Sequence, residues 1–127
     1  MDKARLKAIP LFANLADEDL HVIATFANET SVSEGEVLVR EGDFSYDLIA
    51  IEEGTADVSR GGETLASLGP GDFVGEVGVL KNELRNATVT ATSSMRLITL
   101  STWEVKRMRK MPGVMEKLEE TINSRAE

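Results

Sequence analysis

Phe73-Val74-Gly75-Glu76-Val77-Gly78-Val79-Leu80-Lys81-Asn82-Glu83-Leu84-Arg85-Asn86-Ala87-Thr88-Val89 decides the reading of this chain. An acid follows a glycine, and one short turn of small and apolar residues comes next. A loop follows, and Arg85 opens an alternating strand. The carboxylate of Glu76 is an acceptor-only group suited to sugar hydroxyls. The guanidinium of Arg85 can grip two oxygens of an anion at once. Backbone N–H groups at the start of the short turn can take a remaining anion oxygen.

On either side of this stretch the chain reads as strand and turn from about Thr30 to Leu100. Glu36 to Arg40 is a short strand carrying Val37, Leu38 and Val39. Tyr46 to Ile51 is nearly all apolar, the pattern of a strand covered on both faces. Ala56 and Val58 alternate with polar residues. Gly61-Gly62 makes a tight hairpin turn, and Thr64 to Leu68 returns. Ala87, Val89 and Ala91 alternate with threonines, and Met95 to Leu100 is the last strand. Glycines at 35, 42, 54 and 71 punctuate the strands. Short strands with regular glycine turns predict a sandwich or roll.

Helices flank this region. Residues 1 to 28 read as helical, with Leu20, Ile23, Ala24 and Ala27 on one stripe and Pro10 separating a leading segment. Leu11, Phe12 and Leu15 pin the connection to the core. Ser101-Thr102-Trp103-Glu104 is a capping box, with Leu100 and Val105 at the staple positions. The helix it starts stops near Lys110, because Pro112 and Gly113 follow. A last helix runs from Pro112 to near Arg125, with Val114, Met115, Leu118 and Ile122 as its stripe. Trp103 and Met108 are expected to pack the penultimate helix on the strands. The cluster Lys106, Arg107, Arg109 and Lys110 is read as complementing the C-terminal end of that helix's dipole, with a membrane or nucleic-acid patch as the alternative that the acidic whole opposes.

The bulk numbers narrow the function. A chain of 127 residues fits one domain over 1–127. Its net charge of −8 disfavours nucleic acid as a direct partner. The same charge opposes anionic ligands at long range, but salt screens that beyond about 8 Å. No cysteine is present, which removes disulfides and thiolate chemistry. The one histidine, His21, cannot supply a β-barrel metal enzyme with its ligands. No apolar run suits a membrane and no signal-peptide core is visible, so a cytoplasmic setting is the expectation. No Ser/His or Cys/His arrangement occurs, and no enzyme activity or cofactor is expected.

Motif, order and spacing together resemble the cyclic nucleotide-binding domain. The resemblance covers nearly the whole chain. It is most specific at Gly75-Glu76-Val77-Gly78-Val79-Leu80 and Arg85-Asn86-Ala87-Thr88-Val89, which are similar to that family's phosphate-binding cassette. It implies a mainly β fold: an eight-stranded β-roll (a double-stranded β-helix or jelly roll) over 30–100. N-terminal helices over 1–28 and two C-terminal helices over 101–125 would flank it. It implies a ligand-binding set of Gly75, Glu76, Val77, Gly78, Arg85, Asn86 and Ala87. Glu76 with Gly75 would hold the ribose, Arg85 the cyclic phosphate, and amides near Gly78 and Ala87 the phosphate oxygens.

The resemblance further implies a sensor of cAMP or cGMP, in which the last helix, through Val114, Leu118 and Ile122, forms a mobile lid. That stripe is equally compatible with core packing or with a homodimer seam. An effector protein, or an output domain outside this chain, would read the switch. Two positions depart from the family pattern. Leu84 stands where proline is frequent, which loosens the loop. Asn86 stands where alanine, serine or threonine is usual. Asparagine both donates and accepts, so the base preference stays open, with family frequency favouring cAMP. The alternative is a nucleotide-free roll serving as a protein interaction module, with Glu76 and Arg85 as a structural ion pair.

Overall fold

The computed structural model describes residues 1–42, 47–74, 87–108, 110, 111, 113, 114 and 116. Helix α1 (Lys3–Lys7) starts at Asp2, whose carboxylate accepts the Ala4 N–H at 2.8 Å. A 3-10 turn, Pro10–Phe12, follows with proline at its first position. Helix α2 (Asp17–Phe26) opens on Asp17, Glu18 and Asp19, acids that complement the positive end of its dipole. The expected helical span is thus broken in three. Proline at 10 lacks the N–H that would carry a helix through. Ala27, placed on the helical stripe by its spacing, is the extended C-cap instead.

Among the described residues, eight strands form two antiparallel sheets. They are β1 (Asn28–Val32), β2 (Val37–Val39), β3 (Asp47–Glu53), β4 (Ala56–Arg60), β5 (Glu63–Leu68), β6 (Phe73–Val74), β7 (Thr88–Ala91) and β8 (Met95–Ser101). The first sheet has the order β1-β8-β3-β6 and the second β2-β7-β4-β5. Strand β1 has no counterpart in the sequence reading. Its residues, Asn-Glu-Thr-Ser-Val, are nearly all exposed, so no apolar alternation marks it. The Gly61-Gly62 turn is as expected: φ is 58° and 83°, the left-handed pair that a two-residue hairpin needs.

Strand β3 explains the layering. Leu48 and Ala50 point to one side and pack with Leu6, Phe12, Leu20, Ile23, Val105 and Met108 in a helical layer. Ile49 and Ile51 point the other way and pack with Ala56, Val89, Ala91, Met95 and Leu97 between the sheets. Strand β8 divides likewise, with Ile98 and Leu100 outward and Met95 and Leu97 inward. Period-two alternation is hidden in β3 because both faces are dry. Each fully buried aliphatic side chain there contributes about 1.5–3 kcal/mol.

Helix α3 (Thr102–Met108) begins on the expected capping box. The Ser101 N–H donates to Glu104 Oε1 at 2.8 Å, and the Glu104 N–H donates to Ser101 Oγ at 3.3 Å. Leu100 and Val105, the staple pair, are both buried. Trp103 corrects the sequence reading. It is 76% exposed and packs no strand. The sheet-facing side of α3 is set by Val105 and Met108, and a residue two positions before Val105 lies about 200° away around the helix. Beyond α3, Val114 and Glu116 are helical. Leu118, Ile122 and the side chains of Leu11 and Met115 lie outside the described residues.

An ion cluster ties the helical layer to the roll. Arg5 donates from Nε and Nη2 to the two oxygens of Glu52, at 2.9 and 2.6 Å, and reaches Glu29 on β1 with Nη1. Hydrogen bonding from Arg5 holds the Glu52 carboxyl below the usual glutamate range. The unfolded chain therefore binds that proton more tightly, so stability from this pair is complete above the ordinary glutamate range. It is lost as pH falls through the lowered folded value. Arg5→Gln should flatten the acid limb of a stability-against-pH curve measured by urea denaturation. A second test is Gly54→Ala. Gly54 has φ +97°, and a Cβ there would sit 2.5 Å from the Ser94 carbonyl oxygen. The loss should be about 3 kcal/mol.

Candidate functional site

Of the cassette residues singled out by sequence, Gly75, Glu76, Val77, Gly78, Arg85 and Asn86 lie outside the described residues. Ala87 is described, half-buried at the bend that precedes β7. The structure describes the two strands that flank this segment. On one side β6 pairs with β3, Ile49 opposite Val74 and Ala50 opposite Phe73. On the other side β7 lies between β2 and β4 in the second sheet. The segment carrying Glu76 and Arg85 thus joins the edge of one sheet to the middle of the other.

Both anchors are fixed by local hydrogen bonds. The turn before β6 is closed by Asp72, whose carboxylate accepts the Gly69 N–H at 2.8 Å. Gly71 N–H donates to the Ile51 carbonyl, and Ile51 N–H donates to the Asp72 carbonyl, both at 2.9 Å. These bonds hold the turn against β3. Gly71 has φ +93°, and a Cβ there would come within 3.2 Å of Pro10 Cγ, so the 3-10 turn abuts this loop. At the far anchor the Glu41 N–H donates to Thr88 Oγ1 at 3.1 Å. The Glu41 carboxylate accepts the Gly61 N–H, also at 3.1 Å. One residue thereby links the end of β2, the β4–β5 turn and the start of β7.

Strand β6 has one residue for each core. Phe73 packs in the helical layer with Val105, Met108 and Val114. Val74 packs on the interior cluster with Ile49, Ile51 and Val89. Sequence reasoning missed Phe73 as a link between the layers, because two residues are too few to show a period. The interior wall also carries half-buried Val32, Leu38, Val39, Val58 and Leu68.

Val114 is fully buried with Phe73, Leu48 and Met108, on the side of the first sheet away from the second. Ala87 directly precedes β7 of the second sheet. Here Val114 is a core residue of the helical layer, and Gly113 before it has φ +77°.

Among the described residues, two surface hollows lie elsewhere. One of about 380 Å³ is lined by Ser31, Ser33, Glu53, Ser94 and Arg96, among others. One of about 240 Å³ lies beside Arg5, Pro10, Glu52 and Gly71. Neither includes Ala87. No group of three or more His, Asp or Glu side chains is placed to hold a metal among the described residues. Nor is any described helix long and apolar enough to cross a membrane.

Comparison with known proteins settles the family. The family model of the cyclic nucleotide-binding domain matches residues 29–110, which include both anchors and everything between them. The chain belongs to the cyclic nucleotide-binding domain family. It is 38% identical over 96 residues to a cAMP-dependent protein kinase regulatory subunit of Eremothecium gossypii, covering 75% of this chain and 21% of the relative. The N-terminal domain of a transcriptional regulator from Streptomyces coelicolor superposes with a TM-score of 0.80 at 28% identity. That match covers 95% of this chain and 91% of that one. The regulatory domain of Toxoplasma gondii PKA crystallised with cAMP superposes with a TM-score of 0.81 at 20% identity. It covers 96% of this chain and 48% of that one, a likeness of fold. The chain spans 21% to 29% of the length of the first curated relatives it matches. Cyclic nucleotide-binding domains are regulatory binding modules rather than catalysts, and the roll inferred from the glycine-punctuated strands is the fold they share.

The burial of Val114 gives a direct test. Val114→Ala should lower ligand-free stability by on the order of 2 kcal/mol, read from urea denaturation. A change near zero would mean that the residue is not part of the core in solution.

Proposed function

We propose that this cyclic nucleotide-binding domain is a sensor whose ligand is cAMP in preference to cGMP. The observation that carries the reading is continuity. The family match runs unbroken through the segment that holds Glu76 and Arg85, and the described anchors of that segment stand on the two sheets of one roll. Relatives named for cAMP dependence, and a cAMP-bound structure of the same fold, support the choice of nucleotide.

In this reading Glu76, with Gly75, accepts from the ribose hydroxyls. Arg85 clasps the cyclic phosphate, and amides of Val77, Gly78, Asn86 and Ala87 complete its oxygens. Polar side chains at the sugar and phosphate leave the base to the aliphatic interior wall. Asn86, with a donor and an acceptor, is the side chain best able to discriminate between bases.

Signal transfer would begin at β6. A ligand that draws the cassette inward pulls on Gly75, and Phe73 two residues earlier feels that displacement within the helical layer. Val105, Met108 and Val114 share that layer. The turn Met111-Pro112-Gly113 then lets the last helix, with Leu118 and Ile122, reorient as a lid. Burial of Val114, about 1.5–3 kcal/mol, is less than the ~5.5 kcal/mol that separates an almost fully off switch from an almost fully on one. Val114 can therefore serve as a pivot, but other contacts must hold the resting state. The ligand supplies the rest through its differential affinity for the two arrangements. An effector protein, or an output domain beyond this stretch, would read the change.

The test is ligand-dependent stability. Millimolar cAMP should raise the melting temperature by mass action, and cGMP should raise it less. Arg85→Ala should weaken binding by about 2–5 kcal/mol, and Glu76→Ala by about 1.5–3 kcal/mol, in titration calorimetry. Unchanged affinity in both variants would remove the site assignment. No shift with either nucleotide would leave a nucleotide-free interaction module.

A further inference from the structure

Helix α3 carries a cationic face built around the chain's one tryptophan. Trp103 is 76% exposed, and Lys106 Nζ lies 5.0 Å above its ring centroid. One turn on from Trp103, the Arg107 guanidinium lies 5.0 Å from the ring of Phe26 at the end of α2. Lys106, Arg107 and Lys110 are all exposed. Among the described residues none of the three forms a salt bridge, whereas Lys3, Arg5 and Arg96 all do. The one acid of the helix, Glu104, accepts from the Ser101 N–H and from Asn28 Nδ2 through its Oε1. Val22, on α2 one turn before Phe26, is a further exposed apolar side chain on the neighbouring helix.

We propose that this face is a docking site for a short acidic segment of a partner polypeptide, anchored by an apolar side chain on Trp103. Three observations carry it. Tryptophan and arginine, both present on this face, are among the residue types enriched in binding hot spots. The cations stack on aromatic rings, which holds them in place while leaving their hydrogen-bond donors outward. The charge contrast selects the partner: a chain of net charge −8 repels an extended polyanion. Three clustered cations can still admit a few carboxylates within about a Debye length of 8–10 Å. A face of two helical turns, about 10 Å long, suits a short peptide better than a nucleic acid or a lipid surface. The proposal is independent of the nucleotide site.

The single tryptophan is its own reporter. The full chain would be titrated with a synthetic peptide of aspartates and glutamates around one phenylalanine, with red-edge excitation of Trp103. The expected result is a saturable shift of emission to shorter wavelength that weakens with added salt. Lys106→Glu combined with Arg107→Glu should weaken binding about tenfold or more. Lys106→Gln with Arg107→Gln should fall between, and both variants should melt close to the parent. Three results would overturn the proposal. One is no emission change at millimolar peptide. Another is an equal or larger response to single-stranded DNA or to phosphatidylserine vesicles. The third is a concentration-dependent dimer that buries Trp103 in the absence of peptide.

Discussion

Two strands that are buried on both faces over most of their length hold this domain together. Strands β3 and β8 pair antiparallel from Asp47–Ser101 to Glu53–Arg96. Their side chains go alternately to a helical layer and to the roll interior. The near anchor of the site, β6 with the turn before it, is hung on this pair. Strand β1 is held by β8 and β6 by β3. The turn before β6 is hydrogen-bonded to Ile51. Because both faces are buried, a slip of one residue would send Leu48 and Ala50 inward and Ile49 and Ile51 outward, exchanging the contents of both cores at once. Register is therefore strongly specified where the cassette begins.

In the proposed mechanism this arrangement would give a physical route between ligand and output. The cassette starts one residue after a strand that has a foot in each core. Phe73 stands among Val105, Met108 and Val114, and Val74 stands among the residues that line the roll. A packed core has discrete arrangements rather than a continuum. A small displacement at Gly75 would thus be converted at Phe73 into a choice between packings of the helical layer. At the other end of the cassette, Glu41 and Thr88 fix the start of β7 to the β4–β5 turn. On this account one anchor is rigidly tied within the second sheet and the other is coupled to the helices.

Much of the fold was legible where chemistry is local. The Gly61-Gly62 hairpin follows from two positive φ values that only glycine adopts freely. The capping box follows from a serine and a glutamate three residues apart. The unbroken apolar run at Leu48-Ile49-Ala50-Ile51 announced a strand with two dry faces. The rest was set by partners far away in sequence. Strand β1 is a polar segment made a strand by β8, and β6 is too short for any pattern. Read from sequence, Trp103 packs between α3 and the strands. Its position around α3, opposite Val105 and Met108, placed it in water instead. The cassette residues were legible through their resemblance to a family rather than through periodicity, and the family match now covers them.

The central claim is that a ring phosphate, held by Arg85 while Glu76 holds the sugar, is what this domain recognises. Competition calorimetry with cAMP and its ring-opened 5′-monophosphate tests it most directly, because the two share base and ribose and differ at the phosphate ester. The account predicts one saturable site for cAMP that an equal concentration of the 5′-monophosphate does not displace. Absence of heat with cAMP, or equal affinity for the two nucleotides, would contradict it.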